Sequence, residues 1–246
     1  MKEINRVSLY DLRTRRVMRD IDPIRQLIKG SQYILEVGSG TGRILRHLAE
    51  AKNTTFVGVE VDPLMYEIGQ QNCKVYKNVE LIKSDFLQYK TDRKFDCILF
   101  SFNVLAEFLD VSSRFEALRK AKELLSTMGK IIIINELLSF ADMSKMNVKY
   151  KFIIGDKSSG KWECAIDCSR DLIQQISRCR VTYSQIGGER LEVLDEYSNA
   201  LLTRNELLTL YIGSGLKVDK KYGSYELGTL DTDSEVDIHV LSPMEK

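Results

Sequence analysis

The chain has 246 residues, 43% hydrophobic and 29% charged, with a formal net charge of +1. That balance excludes a disordered polymer and leaves no global attraction to nucleic acid or an anionic membrane. The length suits one substantial α/β domain with an inserted subdomain, and three prolines leave little room for long linkers. Five cysteines without framework spacing, no signal-like opening and no apolar run of membrane length predict a reduced, cytoplasmic protein.

The first predicted element is helical, over residues 8–29. It is broken at Asp22-Pro23, where Asp22 can cap and Pro23 suits the first helical position, with Gly30 at the exit. The arginines of this segment (Arg6, Arg13, Arg15, Arg16, Arg19) read as a solvated helix face. From Tyr33 the chain alternates buried strand and helix. Strands are predicted at 33–37, 55–60, 79–83, 95–101 and 129–136, and helices at 42–51, 63–72 and 114–126, the last with a Phe115, Leu118, Ala121, Leu125 stripe. Such alternation predicts a parallel sheet covered on both faces.

After Glu136 the pattern changes. Residues 148–201 alternate like strands, with turns at "GDKSSGK" and "IGGER", and predict an antiparallel excursion. Thr203 and Glu206 then spell a capping box before an apolar face of Leu207, Leu208, Tyr211 and Ile212, and strands follow near 216–222 and 235–241. The predicted fold is α/β: a Rossmann-like, seven-stranded, mostly parallel sheet with helices on both faces, plus an antiparallel β lid insertion. Its parts are an N-terminal helical lid (1–30), an α/β core (31–140), the β insertion (141–202) and a C-terminal helix and strands completing the core (203–246).

The stretch "ILEVGSGTGRILRHLAE" carries the chemistry. An apolar strand, glycines at 38, 40 and 42, and a helix start bring backbone N–H groups and a positive dipole end to the sheet's carboxyl edge. A dinucleotide fingerprint needs its third glycine at position 43, where Arg43 stands, and no tyrosine has a lysine four residues later. Nicotinamide chemistry is therefore disfavoured.

"EVGSGTG" resembles the first motif of class I S-adenosylmethionine-dependent methyltransferases. "TTFVGVEVDP", "VELIKSDF", "FDCILFSFNVLAEF" and "ALRKAKELLSTMGKIIIINELL" follow in that family's order across residues 33–137. The resemblance implies S-adenosylmethionine as cofactor. Glu36, Gly38, Ser39, Gly40 and Gly42 would wrap its methionine portion, Glu60 its ribose with Val61 and Asp62 alongside, and Asp85 and Phe86 its adenine. Phe100, Ser101, Phe102 and Asn103 would pass under the sulfonium end. For Glu60 and Asp85 the plain alternative is a solvated carboxylate at a strand end. The fourth strand does not end in the Asn/Asp-Pro-Pro-Tyr/Phe signature of base- and glutamine-methylating relatives, and before the fifth strand a Thr127-Met128-Gly129 turn replaces the usual Pro-Gly-Gly.

The C-terminal half, from "RDLIQQISRCRVTY" to "KKYGSYE", resembles a small-molecule branch allied to glycine and amino-sugar N-methyltransferases. That resemblance implies an antiparallel lid and a small-molecule acceptor, most readily an amine nitrogen. An RNA or protein methyltransferase, an O-methyltransferase of a small metabolite and a non-catalytic cofactor-binding module stay as alternatives. Glu107, where relatives often carry histidine, is read as a catalytic and acceptor-binding carboxylate for a cationic amine, or as a first-turn glutamate complementing the helix dipole. Tyr10 is implied near the cofactor or packed in its helix. Tyr222 and Tyr225 line the acceptor pocket or pack a turn. Arg178, with Arg180, meets an acidic acceptor group or sits on an exposed strand face. No nucleic-acid or membrane partner is expected, and a homodimer is left open.

"GDKSSGKW" nearly spells a phosphate loop, but Trp162 stands where Ser or Thr must meet magnesium, so it reads as a hairpin turn. Cys164 and Cys168 read as ordinary strand cysteines, His47 and His239 as structural, and no metal site is predicted.

Overall fold

Local capping rules start the chain. Asn5 accepts from the amides of Val7 and Ser8 while its own amide donates to Ser8 Oγ, which launches α1 (Arg6–Thr14). The computed structural model describes residues 4–136, 145–156, 159–187, 191–232, 234 and 236–245. The chain divides into two compact units: Met1–Val17 with Leu138–Leu201, and Met18–Leu137 with Leu202–Lys246.

In the second unit α2 (Ile21–Leu27) precedes β1 (Tyr33–Val37), α3 (Arg43–Leu48), β2 (Thr55–Glu60), α4 (Pro63–Cys73) and β3 (Val79–Lys83). A single 3₁₀ turn (Phe86–Gln88), β4 (Phe95–Phe100), α5 (Val104–Glu107), α6 (Val111–Leu124) and β5 (Leu125–Glu136) follow. The sheet order is β3-β2-β1-β4-β5, with parallel pairing throughout that run. Late in the chain come α7 (Arg204–Gly213), β10 (Leu216–Tyr222) and β11 (Val236–Pro243). β11 runs antiparallel to both β5 and β10 and completes the seven strands. Strand order reverses between β1 and β4, and the carboxyl ends of those strands open the crevice where α/β sheets bind ligands.

β1, β4 and β5 are buried because Ile34, Leu35, Ile98, Leu99, Ile132 and Ile133 leave no polar face. Such side chains each stabilise the fold by about 1.5–3 kcal/mol. His239 lies buried on β11, with Nε2 3.0 Å from Asp237 Oδ1 and Nδ1 3.2 Å from Tyr211 Oη, a structural role. Tyr211 is held un-ionised by its burial.

Several boundaries differ from the sequence expectation. The helical break falls at residues 15–20, and Pro23 sits inside the first turn of α2, where its missing N–H costs nothing. α6 begins earlier because Asp110 accepts from both the amide and the hydroxyl of Ser113. It ends at Leu124, so Leu125 belongs to β5. Ile212 stays 64% exposed, and Leu210 takes its buried place beside Tyr211 on α7.

The first unit holds α1 and a four-stranded antiparallel sheet of β6 (Asn147–Asp156), β7 (Gly160–Asp171), β8 (Ile176–Ile186) and β9 (Glu192–Ala200). "GDKSSGKW" is the β6–β7 hairpin, closed by the Asp156–Gly160 pair; residues 157–158 lie outside the described residues. Residues 188–190 of "IGGER" do too. Leu9 and Leu12 of α1 pack on Trp162, Cys164, Val181 and Tyr183. Ion pairs from Arg6 to Asp195 and from Arg15 to Asp156 tie the helix to the sheet.

The opposite face carries a row of alternating charge, Lys149, Asp167, Arg180 and Glu196, in cross-strand register. Arg178 and Arg180 stand on this exposed face, Arg178 donating to Gln174 and Arg180 to Glu196.

One cysteine expectation is corrected. Cys168 is not a free strand cysteine: it opposes Cys179 across β7 and β8 at 4.0 Å between Cα atoms and forms a disulfide with it. Direct opposition in an antiparallel pair brings the two side chains together, and only the strand register reveals it.

Candidate cofactor and acceptor site

The bend between β1 and α3 is built from three left-handed glycines, with φ of 65°, 55° and 71° at Gly38, Gly40 and Gly42. Two of them serve internal packing. A Cβ on Gly38 would lie 2.8 Å from Val104 of α5, and one on Gly42 would lie 2.5 Å from Cys73 Sγ of α4. At Gly40 a Cβ meets nothing within 4 Å, so the open side of the bend is there. Gly42→Ala is expected to cost about 1–3 kcal/mol through backbone strain alone. In urea unfolding, Gly42→Ala/Cys73→Ala should recover the steric part of the loss and leave the strain.

The acid groups converge on this bend. Glu60, at the tip of β2, accepts from Gly40 N at 2.7 Å and from Asp62 N at 2.8 Å. The Gly40 amide is therefore already engaged, and the same bond fixes the carboxylate that the sequence assigns to a ribose. Asp62 caps α4 through Leu64 and Met65, and Val61 stands open between the two acids. Glu36 is buried, with Oε1 accepting from Ser101 Oγ at 2.9 Å and Oε2 unpartnered among the described residues. Ser39 Oγ and Thr41 Oγ1 are buried and unpartnered in the same sense. Burial pushes the Glu36 carboxyl up to about 8, against the bond from Ser101 and the charge of Arg43.

The folded chain thus holds a Glu36 proton that the unfolded chain releases in the ordinary carboxylate range. The stability this contributes is complete below that range and is lost as pH rises through about 8. Glu36→Gln should flatten the alkaline fall in thermal midpoint, measured across a pH series.

The adenine-side residues are less gathered. Asp85 is exposed and accepts from Leu87 N at 2.8 Å. Phe86 turns inward, edge-on to the fully buried Phe100 at 5.8 Å between ring centroids. Both rings are buried at the ends of their elements.

Beyond β4 the backbone is unusual: Phe102 and Asn103 are both left-handed, with φ of 52° and 66°. Asn103 Oδ1 accepts from Glu136 N at 2.6 Å and its amide donates to Ile134 O, fastening this loop to the end of β5. Arg43 lies over the Phe102 ring at 5.0 Å and donates twice to Asp20, at 2.8 and 2.5 Å. Glu107, the last residue of α5, is exposed, and among the described residues its carboxyl makes no hydrogen bond or ion pair. Partial desolvation at the end of α5, reinforced by the negative charge of Glu60, raises its carboxyl to about 7.

Tyr225 is half-buried under the Arg19 guanidinium, 4.9 Å from its ring, with Asp20, Glu136 and Arg43 close enough to bias its hydroxyl. Tyr222 packs against the apolar core. Tyr10 and Arg178 belong to the first unit, where Arg13 stacks on the Tyr10 ring at 5.2 Å.

Residues 34–129 match a family model described as "Methyltransferase domain". Over those residues the chain is similar to methyltransferases. The glycine bend fits S-adenosylmethionine, the cofactor that the sequence resemblance implies: Gly40 opens outward while two carboxylates and two hydroxyls unpartnered among the described residues crowd the same turn.

The fold of the chain is similar to that of CcbJ from Streptomyces caelestis, with a TM-score of 0.81, 18% identity, and coverage of 93% of this chain and 90% of that one. It is also similar to SAM-bound CalS10, an amino pentose methyltransferase from Micromonospora echinaspora. There the TM-score is 0.73 and identity 16%, with 99% of each chain covered. A ribosomal RNA small subunit methyltransferase A from Caldanaerobacter subterraneus subsp. tengcongensis is 38% identical over 56 residues, 23% of this chain and 20% of the relative. The chain spans 32% and 20% of the lengths of the first two curated relatives that it matches. No described helix is long and apolar enough to cross a membrane.

Sequence reasoning missed Asp20, Arg43 and Arg114 as parts of this site. A buried arginine directly after the glycine bend is the only local signal of the first pair.

Proposed function

We propose that the chain transfers the methyl group of S-adenosylmethionine to an amine nitrogen of a small molecule by in-line displacement. The observation that carries this reading is Glu107: a carboxyl with no hydrogen bond or ion pair among the described residues, set where it feels the charge of the ribose-assigned Glu60. The cofactor brings a methyl group already activated by a sulfonium, so alignment and exclusion of water are what the protein adds.

The chain's own groups divide that work. Glu60, Glu36, Ser39 and the Gly40 bend would hold the nucleoside and amino-acid ends. Phe102 and Asn103 fix the floor between β4 and β5. Glu107 would hold a cationic amine or take its proton, leaving the nitrogen lone pair to attack. The likeness in fold to an amino pentose methyltransferase supports an amine acceptor.

The test incubates the pure chain and S-adenosylmethionine with panels of amino sugars, amino acids, simple alcohols and RNA, reading S-adenosylhomocysteine release and product mass. Turnover on amines is expected. Turnover on alcohols or RNA alone would overturn the reading. An RNA acceptor is the second reading, favoured by the local match to a ribosomal RNA methyltransferase; salt-sensitive retention of RNA would mark it.

A further inference from the structure

α5 has only four residues, too few to hold a helical shape by its own hydrogen bonds. Its orientation comes from its buried Val104, Leu105 and Ala106 and from what grips its two ends. The front is gripped by Asn103, whose left-handed backbone supplies no side-chain cap and whose amide oxygen instead reaches the backbone of Glu136. The rear is gripped by Arg114, the fourth residue of α6. Its Nη1 donates to Phe108 O at 2.6 Å and to Leu109 O at 3.0 Å.

These carbonyls belong to the extended C-cap residue of α5 and the residue after it, so Arg114 pins the link between α5 and α6 just past the helix. Arg114 is 5% exposed, so it is no solvated surface residue. Its charge is offset by Glu206, which also closes the capping box with Thr203 at the start of α7, and by Asp110 at the start of its own helix. The carbonyls it holds directly follow Glu107.

We propose that Arg114 is the positioning residue for Glu107, setting the direction of that carboxylate by clamping the end of α5 without touching the reacting atoms. The inference rests on the role given to Glu107 above. It adds that the carboxylate's aim is set from α6 and backed by α7, two elements remote in sequence from the glycine bend.

The test labels the glutamate carboxyls of the whole chain with carbon-13, saturates it with S-adenosylhomocysteine and follows their titration by NMR. Glu107→Gln, Glu36→Gln and Glu60→Gln assign the three raised resonances. In Arg114→Met the Glu107 midpoint should drop toward the ordinary carboxylate range as α5 loosens and the carboxyl leaves the setting it shares with Glu60, while Glu36 keeps its midpoint. Arg114→Lys, retaining a cation and one donor, should fall between and serves where the methionine variant does not fold. An unmoved Glu107 midpoint, or Glu36 and Glu107 moving together, overturns the assignment of Arg114 and leaves the role of Glu107 standing. A wild-type Glu107 midpoint in the ordinary carboxylate range removes the observation behind that role, and this inference falls with it.

Discussion

Arg43→Met is expected to destabilise the second unit by about 3–5 kcal/mol, the cost of leaving a buried carboxylate without its cation. Asp20 and Arg43 expose 3% and 7% of their side chains, and the guanidinium meets the carboxylate through two parallel bonds. An isolated Asp20 would have no solvent to recover. The loss should be far smaller in Asp20→Asn/Arg43→Met, where no charge is stranded. The coupling energy from the double-mutant cycle separates the pair's mutual attraction from the burial of methylene groups. Urea unfolding followed by tryptophan is unsuitable, because Trp162 lies in the first unit; far-UV circular dichroism or hydrogen exchange in β1 reads the second unit. A small loss in Arg43→Met, below about 1 kcal/mol, would mean that Asp20 finds water or another donor and that the pair is not a core element. A specific corollary concerns Glu36. Arg43 lowers its proton affinity and Asp20 raises it, so Arg43→Met should move the alkaline loss of stability to higher pH.

The buried strands were legible because a parallel strand covered on both faces has one solution in sequence, a short apolar run between turn residues. Ile34, Val57, Ile98 and Ile132 lie where those runs place them. The glycine bend was legible for its conformation and less so for its purpose. Three residues with positive φ were required, but that Gly38 and Gly42 answer to Val104 and Cys73 depends on helices elsewhere in the chain.

Contacts set by register or by packing between distant helices left no local trace. Cys168 meets Cys179 only once the turn between β7 and β8 fixes which residues oppose. Asp20 and Arg43 are separated by 23 positions, and neither belongs to a motif of its own. Arg114 looks like any arginine on an amphipathic helix until the end of α5 is laid against it. His239 shows the same limit in a structural setting. Its partners Asp237 and Tyr211 are a strand neighbour two positions away and a residue of a separate helix.

Glu107→Gln is expected to lower turnover on an amine acceptor by about 10²–10⁴-fold, the range that a positioned acid–base group supplies. The pH profile discriminates further than the loss itself. A carboxyl raised to about 7 is largely protonated in mild acid, so wild-type kcat should climb as pH rises through that value and level above it. The glutamine variant should lose this limb. The two causes of the raised value can be separated, since desolvation is the larger and the Glu60 charge the smaller. Glu60→Gln, assayed at saturating S-adenosylmethionine, should therefore shift the limb modestly toward acid and leave it in place, while weakening cofactor affinity through loss of an acceptor for the ribose. A profile insensitive to Glu60 would place the two carboxyls too far apart to share a site. Unchanged turnover in Glu107→Gln would reduce Glu107 to a helix-terminal acid and leave alignment by the bend and the β4–β5 floor as the protein's whole contribution.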